Sequence, residues 1–384
     1  MSPSRLTRRG FLAATSAGLA VSSYGIGTSA VGKEVVAKTE KGIAWYNVEQ
    51  WGIEGKGWTN TARYFDRLPA KAEKTVRGAV WNLSRHSAGM LVRFETAASA
   101  IYARYKLMSG RLEMSHMPAT GVSGLDLYAR DEDHTERWLA VARPNAQEMT
   151  LQLAGGIDSR DEGKPRLYTV YLPLYNGVES LEIGVDPKAS FEAVTPRTEK
   201  PLVFYGTSIM HGACASRPGM SITGILGRRF DRPMINLGFS GNGKMETEVG
   251  ELLCELDAAV YIIDCLPNMA AVEVKARTEP LVRQLRKARP ETPILLVEDR
   301  TYTYARFRKS ARDRHSTSRA ELRRAFESLT SSGVKQLYYL EGEGLLGDDG
   351  EAATDGSHPN DLGMVRYADA YEKPLQMILK QKAS

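Results

Sequence analysis

Two short motifs contain the residue types that together can make a nucleophile out of a hydroxyl group. Ser208 follows the apolar run 202–205 and a glycine that permits a sharp turn, so the sequence predicts a serine at the carboxyl edge of a buried strand. Asp355 and His358 are separated only by glycine and serine, so one loop can carry both side chains. Histidine is suited to be the base because imidazole titrates near neutral pH, and a carboxylate can orient its ring. The two motifs together could supply a serine nucleophile, its base and the carboxylate that orients the base.

Either motif alone is more typical of a turn, but two further blocks lie between them. Residues 236–241 have the sequence Asn-Leu-Gly-Phe-Ser-Gly, and residues 262–268 have Ile-Ile-Asp-Cys-Leu-Pro-Asn. Both are built on apolar runs that predict strands. The four blocks in this order resemble the SGNH (GDSL-type) hydrolase family. One departure is visible, because the first block has Gly-Thr-Ser where the family commonly has Gly-Asp-Ser. That Asp is not a triad member, so the implied mechanism is unchanged.

The resemblance implies roles for five residues. Ser208, Asp355 and His358 would form a catalytic triad that works through an acyl-enzyme intermediate. The backbone amides of Ser208 and Gly241 and the side chain of Asn268 would form the oxyanion hole. For Asn268 the alternative is a structural asparagine in a turn.

The chain begins with a segment that resembles an export signal. Residues 7–12 have the sequence Thr-Arg-Arg-Gly-Phe-Leu and precede an uncharged stretch rich in Ala, Gly and Ser that ends in Thr-Ser-Ala at residue 30. This pattern predicts a twin-arginine signal peptide over residues 1–30, removed on export to the periplasm or the medium. The alternative is a membrane anchor, but small residues make the segment only weakly hydrophobic.

The remaining composition limits the partners of the protein. The net charge is +5, and removing the three Arg residues of the signal leaves 48 basic against 46 acidic residues. This near balance argues against nucleic acid, and the basic run 283–289 has the spacing of a solvated helix face. We expect no cofactor and no metal, because the scattered histidines at 86, 116, 134 and 315 lack metal-ligand spacing. After signal cleavage we also expect no membrane anchor.

The three cysteines and one further histidine have to be considered separately. The three cysteines, Cys214, Cys254 and Cys265, are an odd number, so small buried hydrophobes are the favoured interpretation and a single disulfide is the alternative. His211 lies three residues after Ser208 and is predicted to line the pocket or the surface of a helix rather than act as the base.

A change of pattern near residues 186–201 predicts two domains. Residues 34–197 contain short alternating segments separated by Gly, Pro or Asp, which are typical of an all-β sandwich: 89–95, 100–105, 149–153, 166–172 and 181–185. Residues 198–384 alternate apolar strands with amphipathic helices, which predicts a doubly wound, flavodoxin-like α/β domain with a parallel sheet. Its strands are predicted at 202–205, 234–237, 260–265, 294–298 and 336–340.

The first domain has a resemblance of its own. Residues 124–128, Gly-Leu-Asp-Leu-Tyr, match the motif of the GxDLY domain, a β-rich module found before SGNH hydrolase domains. All five tryptophans lie in this part of the chain, and core packing is the favoured interpretation for each. A carbohydrate-facing pair among Trp45, Trp51 and Trp58 is the alternative, because that segment is rich in glycine.

The expected substrate is an acylated small molecule or polysaccharide, with acetylated carbohydrate preferred. The residues that follow the nucleophile, including Ser216, Arg217 and Asn242, are polar or small, whereas a long acyl chain needs a continuous apolar wall. One alternative is a lipase or thioesterase of the same fold. Another is a non-catalytic glycan-binding protein, which the presence of all three triad residues disfavours.

Overall fold

The computed structural model describes residues 33–158 and 163–381, so the predicted signal over residues 1–30 lies outside the described residues. Before residue 195 these residues form ten strands. They are β1 (Lys38–Glu40), β2 (Ile43–Asn47), β3 (Leu91–Thr96), β4 (Ala100–Leu107), β5 (Asp126–Arg130), β6 (Glu136–Val141), β7 (Glu148–Gly155), β8 (Arg166–Tyr171), β9 (Val178–Val185) and β10 (Phe191–Val194).

These strands pair into two antiparallel sheets that share one core. The strand orders are β1-β2-β9-β4-β7 and β10-β3-β8-β5-β6. Alternate residues of β3, β5 and β8 from one sheet pack against alternate residues of β4, β7 and β9 from the other. The predicted β-sandwich is therefore confirmed, and its period-two alternation results from each strand burying one face.

The second half of the chain contains a parallel sheet of five strands in the order β12-β11-β13-β14-β15. They are β11 (Leu202–Gly206), β12 (Met234–Gly238), β13 (Val260–Asp264), β14 (Ile294–Val297) and β15 (Leu337–Leu340). β11, β12 and β13 are buried at every position because helices cover both faces of the sheet. The strand order is that of the doubly wound, flavodoxin-like fold, so this prediction is also confirmed. Ligands of such sheets bind at the carboxyl ends of the strands.

Eight α-helices accompany the strands within the described residues. They are α1 (Gly78–Ser84), α2 (Ala119–Val122), α3 (Ser208–His211), α4 (Ile222–Phe230), α5 (Thr247–Glu255), α6 (Ala271–Ala288), α7 (Lys309–Ser331) and α8 (Asp361–Gln381). No helix of residues 33–158 and 163–381 is long and apolar enough to cross a membrane.

Four of the five tryptophans of the first half serve as core residues. Trp45, Trp51, Trp58 and Trp81 are each at most 9% exposed, whereas Trp138 is 50% exposed, so the prediction of core packing is wrong for Trp138. The alternative of a carbohydrate-facing pair among Trp45, Trp51 and Trp58 is therefore wrong. Glycine-rich sequence around them suggested a loop, but their side chains turn inward. Trp58 and Trp81 even join the core of the parallel sheet, so the two halves share buried surface.

The Gly124–Tyr128 motif joins the sandwich to the second half. The buried Asp126 carboxylate accepts hydrogen bonds from the Arg217 guanidinium at 2.9 Å, the Gly219 amide at 2.8 Å and the Trp138 indole at 3.0 Å. A Cβ at Gly219 would lie 2.4 Å from the Tyr128 ring, so only glycine allows this approach. The motif therefore acts as a docking contact for the turn that precedes α4.

We expect Asp126→Ala to destabilise the protein by about 3 kcal/mol, because removing the buried carboxylate leaves the Arg217 guanidinium and two N–H donors without their acceptor. Asp131→Ala is the matched control, since Asp131 pairs with Arg137 at the surface and should matter far less. The midpoint of urea unfolding measures both effects. Equal losses in the two variants would contradict the docking role of Asp126.

All three cysteines are free in the structure. Cys214 and Cys265 are buried, and Cys254 is partly buried. The prediction that the cysteines act as small hydrophobic residues is confirmed, and the alternative of a disulfide between two of them is wrong.

Candidate active site

Ser208 is placed by the junction of a strand and a helix. β11 ends at Gly206, Thr207 caps α3 by accepting a hydrogen bond from the Ile209 amide at 3.3 Å, and Ser208 is the first helical residue. Its side chain therefore lies at the carboxyl edge of a central strand, where the sequence predicts it. The residue is 6% exposed, and its hydroxyl is not needed as the helix cap.

One chain of hydrogen bonds joins the three residues predicted to form the triad. Ser208 Oγ lies 2.8 Å from His358 Nε2, and His358 Nδ1 lies 2.7 Å from Asp355 Oδ2. The other carboxylate oxygen, Asp355 Oδ1, accepts the backbone amides of Ser357 at 2.9 Å and His358 at 2.8 Å. Residues 150 positions apart in the chain thus meet within hydrogen-bonding distance.

The environment of Asp355 keeps it ionised. Burial acts to raise its pKa, but hydrogen bonds from the backbone and ring of His358 and from the Ser357 amide lower the pKa to about 2. A charged carboxylate on Nδ1 favours the imidazole tautomer that carries its proton there. Nε2 is then free to accept the proton of Ser208.

A buried arginine holds the loop that carries Asp355 and His358. Arg300, at 2% exposure, follows β14 and donates to both the carbonyl and the hydroxyl of Ser357. The Thr303 amide donates to the Gly356 carbonyl at 3.1 Å. Gly356 has φ +84°, and a Cβ there would lie 2.2 Å from the Tyr304 ring. The sequence analysis did not predict these contacts. The available signal was that residues 300–304 follow a predicted strand of the same sheet.

The two remaining predicted residues follow the neighbouring strands. Gly241 lies after β12 with φ +69°, and Asn268 ends the short 3-10 helix Leu266–Asn268 after β13. Asn268 Oδ1 accepts a hydrogen bond from the Gly243 amide at 3.2 Å. Because the amide group is planar, its Nδ2 donor then points away from that loop. Ser208, Gly241 and Asn268 thus follow three adjacent strands at one edge of the sheet.

His211 is neither on a helix surface nor in the pocket, so that prediction is wrong. It is fully buried, stacks on Tyr175 with ring centroids 4.1 Å apart, and lies 3.4 Å from His86 Nδ1 through its Nε2. Burial, and then the charge of Arg67, hold its pKa well below the ordinary value. The four-residue helix turns this side chain inward, whereas His358 faces Ser208.

Arg67 supports the edge of the sheet from the first half of the chain. Its guanidinium is buried and donates to the carbonyls of Asn236 at 3.0 Å and Gly238 at 2.9 Å, at the end of β12. It also donates to the carbonyls of His86 and Leu83. Burial lowers its pKa to about 9. The sandwich half thereby fixes the strand that leads to Gly241, a contact without any local sequence signal.

An open cleft lies next to the segment that carries Asp355 and His358, and His116 from the first half lines it. The His116 and His358 ring centroids are 6.0 Å apart. Most side chains lining the cleft are polar or small: His116, Pro118, Cys214, Ser216, Glu351, Thr354, Asn360, Asp361 and Leu362. Burial raises the pKa of Cys214 to about 11, so its thiol stays protonated at neutral pH.

Two polar residues expected beside the nucleophile are bound elsewhere. Arg217 pairs with Asp126, and Asn242 accepts a hydrogen bond from Arg77 at 2.8 Å. Only Ser216 of the three lines the cleft, where it is hydrogen-bonded to Asp361. The polar character of the cleft is therefore supplied mainly by residues 351–361. The prediction considered only residues that follow Ser208 closely in the chain, so it did not include this segment.

Comparisons with known proteins match both halves of the chain. Residues 199–376 match the model of the GDSL-like lipase/acylhydrolase family, and residues 43–191 match the model of the N-terminus of SGNH-hydrolase-type esterases. The structure is similar to that of a Bacteroides ovatus protein described as a GDSL-like lipase, with 33% identity and a TM-score of 0.83 over 88% of this chain and 98% of that one.

More distant solved structures share the fold. A salicylyl-acyltransferase from a tetracycline biosynthetic pathway has 17% identity and a TM-score of 0.67, covering 90% of this chain and 97% of its own. A family two carbohydrate esterase from Clostridium thermocellum has 12% identity and a TM-score of 0.53, covering 76% of this chain and 92% of its own. No curated protein gives a significant sequence match.

Proposed function

Because the chain belongs to the GDSL-like lipase/acylhydrolase family and is therefore a carboxylic ester hydrolase, we propose that it removes short acyl groups, above all acetyl groups, from carbohydrates. The observation that carries this proposal is the hydrogen-bonded chain from Ser208 through His358 to Asp355 at the carboxyl edge of the parallel sheet. In this proposal Ser208 is the nucleophile, His358 the base and Asp355 the residue that orients the imidazole.

The reaction divides into two acyl transfers. His358 Nε2 takes the proton as Ser208 Oγ attacks the ester carbonyl, and the resulting imidazolium gives that proton to the departing sugar hydroxyl. Water, deprotonated by the same nitrogen, then attacks the acyl-serine; the bond from the acyl carbon to Ser208 Oγ breaks, the imidazolium returns the proton to Oγ, and acetate is released. The charge of Asp355 stabilises the imidazolium in both halves of the reaction, and no cofactor or metal takes part in this scheme.

The negative charge that develops on the carbonyl oxygen needs donors that are already in place. The proposed donors are the amides of Ser208 and Gly241 and Nδ2 of Asn268. Support comes from the hydrogen bond of Gly243 to Asn268 Oδ1, because it orients the opposite end of the amide. The open space around the Cβ position of Gly241 leaves room for an approaching substrate.

We expect Asn268→Ala to lower kcat by roughly a hundredfold, the usual effect of removing one oxyanion donor. KM should change little, because the donor matters most after charge has built up on the oxygen. Asn268→Asp is the matched variant, since it keeps an acceptor for the Gly243 amide but replaces the donor by a negative charge, and it should lose more activity. Steady-state kinetics on p-nitrophenyl acetate separate the constants. A change confined to KM would make Asn268 a ground-state binding residue.

The preference for carbohydrate rests on the polar cleft and on the fold. A saccharide needs hydrogen-bonding groups around the scissile ester, and His116, Ser216, Thr354 and Asn360 line the cleft. Proteins described as carbohydrate esterases have the same fold. The second candidate function is that of a lipase or thioesterase, which would instead need a continuous apolar channel.

We expect acetyl esters to have the highest kcat/KM in a p-nitrophenyl series, with activity lower for butyrate and nearly absent for octanoate. An enzyme with an apolar acyl channel would gain about 0.8 kcal/mol for each buried methylene, so its preference would run the other way. Acetate release from a panel of acetylated polysaccharides is the companion measurement. An optimum at octanoate would replace the carbohydrate proposal by the lipase alternative.

The export and domain assignments belong to the same proposal. Residues 1–30 would direct the protein through the twin-arginine route to the periplasm or the medium, where acylated polysaccharides are accessible. Residues 34–197 would form the sandwich domain and residues 198–384 the hydrolase domain. Thr7–Leu12, with its paired arginines, is the sequence that supports export.

A further inference from the structure

The loop of residues 301–308 lies between the two segments that complete the site. It follows β14, which is placed between β13 and β15 in the sheet. The loop bonds to the His358 segment through the Thr303 amide and the Gly356 carbonyl, 3.1 Å apart. Just after the loop, Arg314 donates to the Pro267 carbonyl at 2.9 Å, next to Asn268. The 301–308 loop therefore packs against the segment that carries Asp355 and His358.

The 301–308 loop presents aromatic rings that the fold does not fully bury. Tyr302 and Tyr304 are stacked with ring centroids 5.3 Å apart and are partly buried. Phe307, near the end of the loop, is 84% exposed, the highest value among the large hydrophobic side chains described. An exposed aromatic ring on a loop that is hydrogen-bonded to the His358 segment is placed to contact a ligand of that segment. The C–H faces of a pyranose ring suit such a surface.

Positive charge surrounds these rings. Arg306 and Arg308 flank Phe307 and are exposed, and the Arg308 guanidinium lies 4.6 Å from the Tyr304 ring centroid. Within the part of the chain that the structure describes, neither arginine forms an ion pair with a carboxylate. The carboxylate of nearby Asp313 is 2.6 Å from Lys309 instead. Both guanidinium groups are therefore available to an anionic ligand.

We propose that the 301–308 loop is a subsite for the saccharide chain that carries the ester, and that it selects a chain with carboxylate groups, such as one containing uronic acids. Phe307 supplies a stacking surface, and Arg306 and Arg308 bind the sugar carboxylate. This inference rests on the proposed function because it concerns the substrate of the same site. A neutral polysaccharide would use only the aromatic part of the subsite.

The test compares acetate release from an acetylated polygalacturonate and from an acetylated xylan without uronic acid, with p-nitrophenyl acetate as the internal reference. The parent protein should show a higher kcat/KM on the acidic polymer, and added salt should weaken that preference by screening the charges. In Arg306→Ala/Arg308→Ala, the ratio of kcat/KM on the acidic polymer to that on p-nitrophenyl acetate should fall roughly tenfold, mainly through KM.

A second pair of charges serves as the matched control. Arg283→Ala/Lys287→Ala removes the same charge from exposed positions near the end of α6. This end of α6 lies toward the opposite edge of the sheet, because the helix runs antiparallel to the strands. This variant should keep the ratio of the parent protein. Phe307→Ala should lower activity on both polymers alike, because stacking does not depend on the charge of the sugar.

Four outcomes would overturn the inference. An unchanged ratio in the Arg306/Arg308 variant, or an equal fall in the control variant, would show that the loop carries only solvated charge while leaving the proposed function intact. If Arg306→Ala/Arg308→Ala lost activity equally on the acidic and the neutral polymer, the two arginines would not select for carboxylate groups. If the parent protein cleaved p-nitrophenyl acetate but released acetate from neither polymer, the carbohydrate function itself would be wrong, and the subsite with it.

Discussion

Ser208→Ala is expected to lower kcat/KM on p-nitrophenyl acetate by roughly a million-fold, the loss typical of removing the nucleophile of a serine triad. The remaining rate would come from binding and the oxyanion donors alone. The protein should stay folded, because Thr207 rather than Ser208 caps α3. Among residues 33–158 and 163–381 the hydroxyl has one hydrogen-bonding partner, His358, whose side chain is 25% exposed and can bond to water instead.

The control for this prediction is Ser331→Ala, the same chemical change at an exposed position at the end of α7. Both variants should have thermal transitions close to that of the parent protein, and only Ser208→Ala should lose activity. Substantial turnover by a folded Ser208→Ala variant would contradict the assignment of the nucleophile.

His358→Ala should be nearly as severe, because triad members act as a unit and the loss of any one removes most of their joint effect. The loop should keep its shape, since the Asp355 carboxylate still accepts the Ser357 and 358 backbone amides. Asp355→Asn tests orientation separately. An asparagine can accept the same amides but donates to Nδ1, which fixes the wrong tautomer and should lower kcat by roughly ten thousand-fold.

His211→Ala is the comparison that identifies the base. The residue is buried among Arg67, His86 and Tyr175, so its loss should lower the free energy of unfolding while the folded protein retains turnover. If His211→Ala abolished activity and His358→Ala did not, the wrong histidine would have been assigned.

The low pKa of Asp355 also determines how pH acts on the site. The folded-state pKa of Asp355 is about 2, below the ordinary value of about 3.9. The ionised carboxylate therefore contributes its full stabilisation at pH values above the ordinary pKa. The stabilisation is lost as pH falls through about 2. Loss of activity between about pH 4 and pH 7 therefore cannot come from protonation of Asp355.

The sequence was informative where a contact is local or where the sheet itself brings residues together. Asp355 and His358 are three residues apart, so their pairing follows from one turn. Ser208 and Asn268 are 60 positions apart in the chain, but each follows a strand of one parallel sheet, and the carboxyl ends of such strands meet at one edge. The buried strands were recognisable because both faces are covered, which gives continuous apolar runs.

The contacts that the sequence could not reveal join distant segments without a repeating pattern. Arg67 bonds the carbonyl of Gly238, 171 residues away, and backbone acceptors leave no signature in the side chains. The same is true of Arg300, whose Nε donates to the Ser357 carbonyl. Burial of Trp45 and Trp51 was the favoured prediction, but the neighbouring glycines left an exposed pair open as the alternative, because composition indicates a loop but not the direction in which its side chains turn.

The most direct test of the central claim is to find where an acyl group attaches. The protein is treated with a fluorophosphonate that reacts with activated serines, digested, and mapped by mass spectrometry. We expect one label, on the peptide that contains Ser208, with labelling abolished in Ser208→Ala and strongly slowed in His358→Ala. Labelling at a different serine, or ester hydrolysis that continues in a protein whose Ser208 is fully labelled, would contradict the account.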